Sequence, residues 1–132
     1  MRRAQMTLAA QGRLSAVVEQ QYPRVVHRAR HNDTALRGVF ALMAQEVGAD
    51  AYLRQQTAIM GRSDSRALLG SISCPALVLV GDADELTPPE RAAEIAAGIA
   101  GSRLVTVAAS GHVSSLEQPD EVTRALWEWL QA

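Results

Sequence analysis

Residues 76–90 read Ala-Leu-Val-Leu-Val-Gly-Asp-Ala-Asp-Glu-Leu-Thr-Pro-Pro-Glu, and the reading of this stretch decides the fold. The apolar run from Ala76 to Val80 is continuous rather than alternating, which predicts a parallel strand covered on both faces. Gly-Asp-Ala-Asp then supplies turn chemistry. Thr87-Pro88-Pro89-Glu90 follows as a capping box with proline at the first helical position, a strong helix start. Ala92, Ile95, Ala96 and Ile99 give that helix an apolar stripe, and Gly101 is placed to stop it. Leu104 to Val107 forms the next strand. A strand–helix–strand unit of this length predicts a right-handed parallel crossover. Pro119 opens a last helix with Val122, Ala125, Leu126, Trp129 and Leu130 on its core stripe and Trp127 partly exposed.

Working outward toward the N-terminus, residues 1–72 read as helix throughout, and residues 73–132 as the strand–helix–strand–helix part. Met6, Ala9 and Ala10 begin a stripe that Gly12 interrupts. Leu14, Val17 and Val18 resume it until Pro23 ends the segment. Asn32-Asp33 offers an N-cap for a helix whose core face is Leu36, Val39, Phe40, Met43 and Val47. Gly48 is placed to close it in a left-handed cap. Asp50 can start another helix that ends at Gly61, and Ser63 or Asp64 can cap a short final one carrying Leu68, Leu69 and Ile72. Several short amphipathic helices on small turns do not make a regular bundle; they read as a cap lying over something else.

The totals narrow the function classes. With 132 residues the chain has the length of one ordinary domain. Hydrophobic residues make up 48%, but aromatics only 4%, so the core is built from small side chains. The net charge is −1, and all 13 basic residues are arginines, scattered without a block. That balance gives no electrostatic footprint for nucleic acid or anionic lipid. No apolar run reaches membrane-spanning length, and no continuous apolar stretch follows the charged N-terminus, so a soluble, cytoplasmic protein is expected. The single cysteine, Cys74, excludes an internal disulfide and reads as a buried, inert thiol beside Pro75.

Two side chains carry the candidate chemistry. In an open parallel sheet, function gathers beyond the carboxyl ends of the strands. Asp84 follows the first strand; His112 ends the stretch Leu-Val-Thr-Val-Ala-Ala-Ser-Gly-His at 104–112. Either residue alone also reads as an ordinary loop residue. Together they suit a dyad: a carboxylate bonded to imidazole Nδ1–H fixes the tautomer and leaves Nε2 free to take a proton from a nucleophile. His27 and His31, four apart, could share a helix face, but no carboxylate or cysteine pattern supports a metal site. Phe40, Met43, Tyr52 and Met60 read either as the lining of a substrate pocket under the cap or as the contacts that hold the cap helices together.

The motifs Pro-Ala-Leu-Val-Leu-Val-Gly-Asp-Ala-Asp-Glu-Leu-Thr-Pro-Pro-Glu and Ser-Gly-His-Val-Ser-Ser-Leu-Glu-Gln-Pro-Asp-Glu-Val resemble the C-terminal part of an α/β-hydrolase-fold protein. The resemblance covers residues 64–132 closely. Residues 1–63 resemble, more loosely, the helical cap of such proteins. It implies an α/β fold class, a partial α/β-hydrolase fold in which a helical cap precedes the strand–helix–strand–helix unit with parallel strands. It also implies hydrolysis of an ester, lactone or similar acyl substrate by a Ser-His-Asp triad, with Asp84 rather than Asp82 as the acid, His112 as the base, and no metal or organic cofactor. No serine here, Ser114 and Ser115 included, stands in a Gly-x-Ser-x-Gly elbow. The first six strands, the elbow and the oxyanion-hole loop of the family should precede residue 1. The chain alone is therefore expected to be inactive. The alternative is a non-catalytic, self-associating binding or structural module. Two parallel strands do not make a stable sheet, so a homodimer or higher oligomer through an exposed strand edge is expected.

Overall fold

The computed structural model describes residues 2–131, which fall into two compact units. One comprises the residues up to Pro23 together with Asn32–Ser63, and the other Arg24–His31 together with the residues from Asp64 onward. No helix among the described residues is long and apolar enough to cross a membrane.

The first unit is helical. Helix α1 (Arg2–Ala10) turns at Gly12, whose φ is 74°, into α2 (Leu14–Val25). Pro23 does not end α2 as its ring suggested; the helix runs two residues further. So near the end, proline forfeits a single amide donor, and its fixed φ is helical. Tyr22 is fully buried and meets Phe40 edge-on, with ring centroids 5.4 Å apart and planes at 89°. The Arg37 guanidinium stands 4.4 Å over the Tyr22 ring, and the Tyr22 hydroxyl donates to the Asp33 carbonyl at 3.0 Å. Asp33 caps α3 (Thr34–Met60), its Oδ1 accepting from the Leu36 N–H at 2.9 Å.

The two helices expected on either side of Gly48 are present and meet at a kink there, within the span Thr34–Met60. Gly48 has the positive φ anticipated, 71°, but its ψ of 166° lies far from a left-handed helical cap. That region is open essentially to glycine alone. Of the expected core face, Leu36 is buried and Phe40 half-buried, while Val39, Met43 and Val47 are exposed.

In the second unit, a 3-10 turn at Arg66–Ser71 leads to β1 (Leu77–Gly81), α4 (Pro89–Gly98), β2 (Arg103–Val107), the short α5 (Ser114–Glu117) and α6 (Pro119–Leu130). The strands pair in parallel, Leu77 with Arg103 through Gly81 with Val107. No other strand pairs with them among the described residues. The 3-10 turn packs on α4. A Cβ at Gly98 would lie 2.7 Å from the Leu69 side chain. Strand burial is not continuous: Val80, Gly81 and Val107 at the carboxyl ends are buried, but Leu104 is exposed.

Three local expectations fail here for identifiable reasons. Cys74 is exposed, since β1 begins only at Leu77 and leaves the approach segment on the surface. The capping box does not form: Pro88 is the N-cap, Pro89 opens α4, and the Thr87 hydroxyl is engaged elsewhere. On α6, Val122 and Ala125 are buried and Trp129 half-buried, whereas Leu126 and Leu130 join Trp127 on the surface.

Candidate active site

The carboxyl ends of β1 and β2 bring Asp84 and His112 together. His112 Nδ1 lies 2.9 Å from Asp84 Oδ2. The Asp84 side chain is 4% exposed and that of His112 38%, so the acid is enclosed and the ring reaches solvent. Asp84 is held by its own turn: the Leu86 and Thr87 N–H groups donate to Oδ1 at 2.8 and 2.9 Å. The Thr87 hydroxyl donates to Oδ2 at 2.8 Å and stands 3.2 Å from His112 Nδ1. Burial pushes the Asp84 carboxyl up, but the bonds from the Thr87 N–H, the His112 ring, the Thr87 hydroxyl and the Leu86 N–H outweigh it and hold it below the ordinary aspartate range.

Asp82 has a different task. Its Oδ1 accepts the Ser110 N–H at 3.1 Å, which draws its carboxyl below the usual value and braces the histidine loop from the other strand. The structure thus separates the two aspartates of the Gly-Asp-Ala-Asp turn, one against the imidazole and one against the backbone.

The loop between β2 and His112 is tied at each step. Gln118 Nε2 donates to the Ala109 carbonyl at 3.2 Å, where Ala109 takes a positive φ of 50°. The Ala83 N–H reaches the Ser110 carbonyl at 2.9 Å. The Gly111 N–H donates to Glu117 Oε2 at 2.7 Å, and the His112 N–H to the Val25 carbonyl at 2.9 Å. Thr87 and Glu117 went unread at the sequence level. Thr87 looked like a helix cap, and Glu117 looked like one more acidic residue before the helix-opening Pro119; nothing in spacing distinguishes either.

The remaining candidates lie elsewhere. His27 caps the 3-10 turn Arg28–Arg30, its Nδ1 accepting the Ala29 N–H at 3.2 Å, so His27 and His31 do not share an α-helical face. Among the described residues no group of three or more histidine, cysteine, aspartate or glutamate side chains could hold a metal ion. Phe40, Met43, Tyr52 and Met60 all stand on α3 in the first unit. Phe40 packs on Tyr22, Met43 and Met60 are exposed, and the Tyr52 hydroxyl is buried with no hydrogen-bond partner among the described residues. A cavity of about 290 Å³ in the same unit is lined by Leu14, Ser15, Val18, Ala41, Ala44 and neighbours, with none of those four on its wall.

Comparison with known proteins places the fold. A thermophilic esterase from Thermogutta terrifontis is 28% identical with a TM-score of 0.88, over 98% of this chain and 49% of that one. A hydrolase from Pseudomonas aeruginosa is 26% identical with a TM-score of 0.87, over 99% and 49%. An enol-lactonase from Burkholderia xenovorans, 23% identical with a TM-score of 0.87 over 98% and 49%, shares the fold. The chain spans about half the length of the solved structures it matches. No curated protein matches it. A family model described as the alpha/beta hydrolase family matches residues 3–125. Parallel strands delivering a carboxylate and an imidazole past their carboxyl ends, and a family match over nearly the whole sequence, lead to one conclusion: this chain belongs to the alpha/beta hydrolase family.

Proposed function

We propose that this chain carries the acid and the base of a Ser-His-Asp hydrolase that acts on an ester, lactone or similar acyl substrate. The observation that carries the reading is the 2.9 Å contact between His112 Nδ1 and the enclosed Asp84 carboxylate, beyond two adjacent parallel strands. With Nδ1–H bound to a carboxylate held ionised, the tautomer is fixed and Nε2 is the basic nitrogen. His112 then takes a proton from a nucleophilic serine and returns it to the leaving group. Asp84 stabilises the imidazolium that forms in between.

The serine and the oxyanion donors come from sequence outside these residues, in keeping with a chain that spans about half of its structural relatives. Residues 1–132 by themselves are inactive, because losing the nucleophile removes most of the rate enhancement of a triad. Phe40, Met43, Tyr52 and Met60 are assigned to the lining of a substrate pocket. Their support is the apolar surface that Met43 and Met60 leave open on α3.

A serine-directed fluorophosphonate applied to the purified chain tests the assignment. No labelling is expected. Stoichiometric labelling that His112→Ala abolishes would show a nucleophile within these residues and overturn the claim of inactivity. One observation favours a second reading, a self-associating module: β1 has no strand neighbour other than β2 among the described residues. A well-folded monomer by light scattering refutes that reading.

A further inference from the structure

We infer that Glu117 is the positioning residue of the dyad: through the backbone of Gly111 it holds His112 in register with Asp84. The inference rests on reading Asp84 and His112 as that dyad.

Glu117 is only 2% exposed, and among the described residues no cationic side chain is bonded to its carboxylate. A buried carboxylate is costly unless its lone pairs are satisfied. Here two backbone amides satisfy them. Oε1 accepts the His27 N–H at 2.6 Å and Oε2 the Gly111 N–H at 2.7 Å. Both are short, charge-assisted bonds, the strong class among amide hydrogen bonds. The two donors lie 90 and 6 residues away in sequence, so a single side chain ties the Arg24–His31 segment to the histidine loop.

The fit leaves no slack. A Cβ on Gly111 would lie 2.8 Å from the Val25 carbonyl oxygen and 2.9 Å from the His27 nitrogen, so residues 25–27 lie flush against the loop. The next amide, that of His112, donates to the Val25 carbonyl at 2.9 Å. Glu117 therefore fixes both sides of the joint from which the imidazole projects. Arg30 adds a contact to the Glu117 carbonyl at 3.4 Å, which holds the backbone of α5 rather than its carboxylate.

Glutamine cannot replace it. An amide offers one oxygen and one NH2, so Glu117→Gln satisfies one of the two amides and sets a donor against the other. Glu117→Ala leaves both unsatisfied.

The experiment reads the His112 Nδ1–H proton by 15N-edited NMR, in the wild-type chain and in both variants, under conditions where circular dichroism shows each to be folded. The wild type should show a low-field Nδ1–H resonance protected from water. Loss of one charge-assisted bond should speed its exchange about tenfold in Glu117→Gln, with greater or complete loss in Glu117→Ala. The Leu86 and Thr87 amides, bonded to Asp84, should stay in place. A low-field proton that persists unchanged in a folded Glu117→Gln variant overturns the inference. If Glu117→Ala does not fold, Glu117→Gln alone decides. Absence of the resonance from the wild type and from Asp84→Asn alike would sink the dyad reading itself, a distinct outcome.

Discussion

Gly81→Ala is the sharpest single perturbation of this site. Gly81 ends β1, opposite Val107, and carries no positive φ. Alanine is thus no burden to its backbone, and the whole effect is steric. A Cβ there would lie 2.2 Å from the Gly111 carbonyl oxygen, 2.4 Å from that of Ser110 and 2.7 Å from the Ser110 carbonyl carbon. None of these atoms is the end of a flexible side chain. To reach ordinary contact the histidine loop must withdraw by roughly 1 Å, which is the scale at which overpacked cores lose about 1–3 kcal/mol. The same withdrawal stretches the Ala83–Ser110 and Asp82–Ser110 bonds, now 2.9 and 3.1 Å, past useful length. Each costs about 1 kcal/mol more. The total, about 3–5 kcal/mol, is a large fraction of a domain's usual 5–15 kcal/mol. Urea denaturation followed by circular dichroism should show the loss. Gly38→Ala is the control: its Cβ meets nothing within 4 Å in α3, and it should stabilise by about 0.5–1 kcal/mol. A Gly81→Ala midpoint within error of wild type would refute the claim that the loop lies hard against this strand end.

Further expectations concern the acid, its hydroxyl partner and the kinked helix. The Asp84 carboxyl is held below its ordinary range, so its stabilising contribution is full above the unfolded value near about 3.9 and fades as pH falls through the folded one. Acid titration of stability should therefore lose part of its slope in Asp84→Asn, and an unchanged acid limb would contradict the bonding described. Thr87→Val removes the donor to Asp84 Oδ2 and should cost about 1 kcal/mol in a thermal melt, with Thr87→Ser recovering most of it. Gly48→Ala meets no atom but must hold φ 71° and ψ 166°; a loss of about 1–3 kcal/mol is expected, and a neutral result would mean α3 is not kinked there.

The second unit was legible because its signals are local. A continuous apolar run and a proline at a helix start each report on their own few residues. The pairing of the strands then follows from the handedness of the crossover. Resemblance singles out Asp84 over Asp82, and the geometry gives a physical distinction: one carboxylate faces an imidazole, the other a backbone amide. What stayed hidden depends on contacts distant in sequence. Thr87 cannot be read as a partner of Asp84 when a capping box explains it equally well. The α3 stripe resembled a core because Leu36, Val39, Phe40, Met43 and Val47 keep helical spacing. Spacing reports which residues share a face, not whether anything covers it. Gly81 reads as a turn residue in Gly-Asp-Ala-Asp, but both it and Gly111 are glycine because another stretch of backbone passes where a side chain would stand.

The Arg24–His31 segment shows why the boundary of the second unit cannot be placed by composition. Arginine-rich and lacking strand character, it reads as part of the helical region that surrounds it. Yet it groups with the strands, because it supplies the Val25 carbonyl to the His112 N–H and the His27 N–H to Glu117. Both are backbone groups, so no side-chain pattern could announce them. A peptide carbonyl is present at every residue; what selects this one is the absence of a Cβ at Gly111, which lets the two backbones close to contact. The imidazole's position is therefore set from three directions: by the Asp84 turn, by the loop from β2, and by a segment more than eighty residues upstream. An imidazole held in this way has little freedom left to lose, which is what the general-base role proposed for it requires.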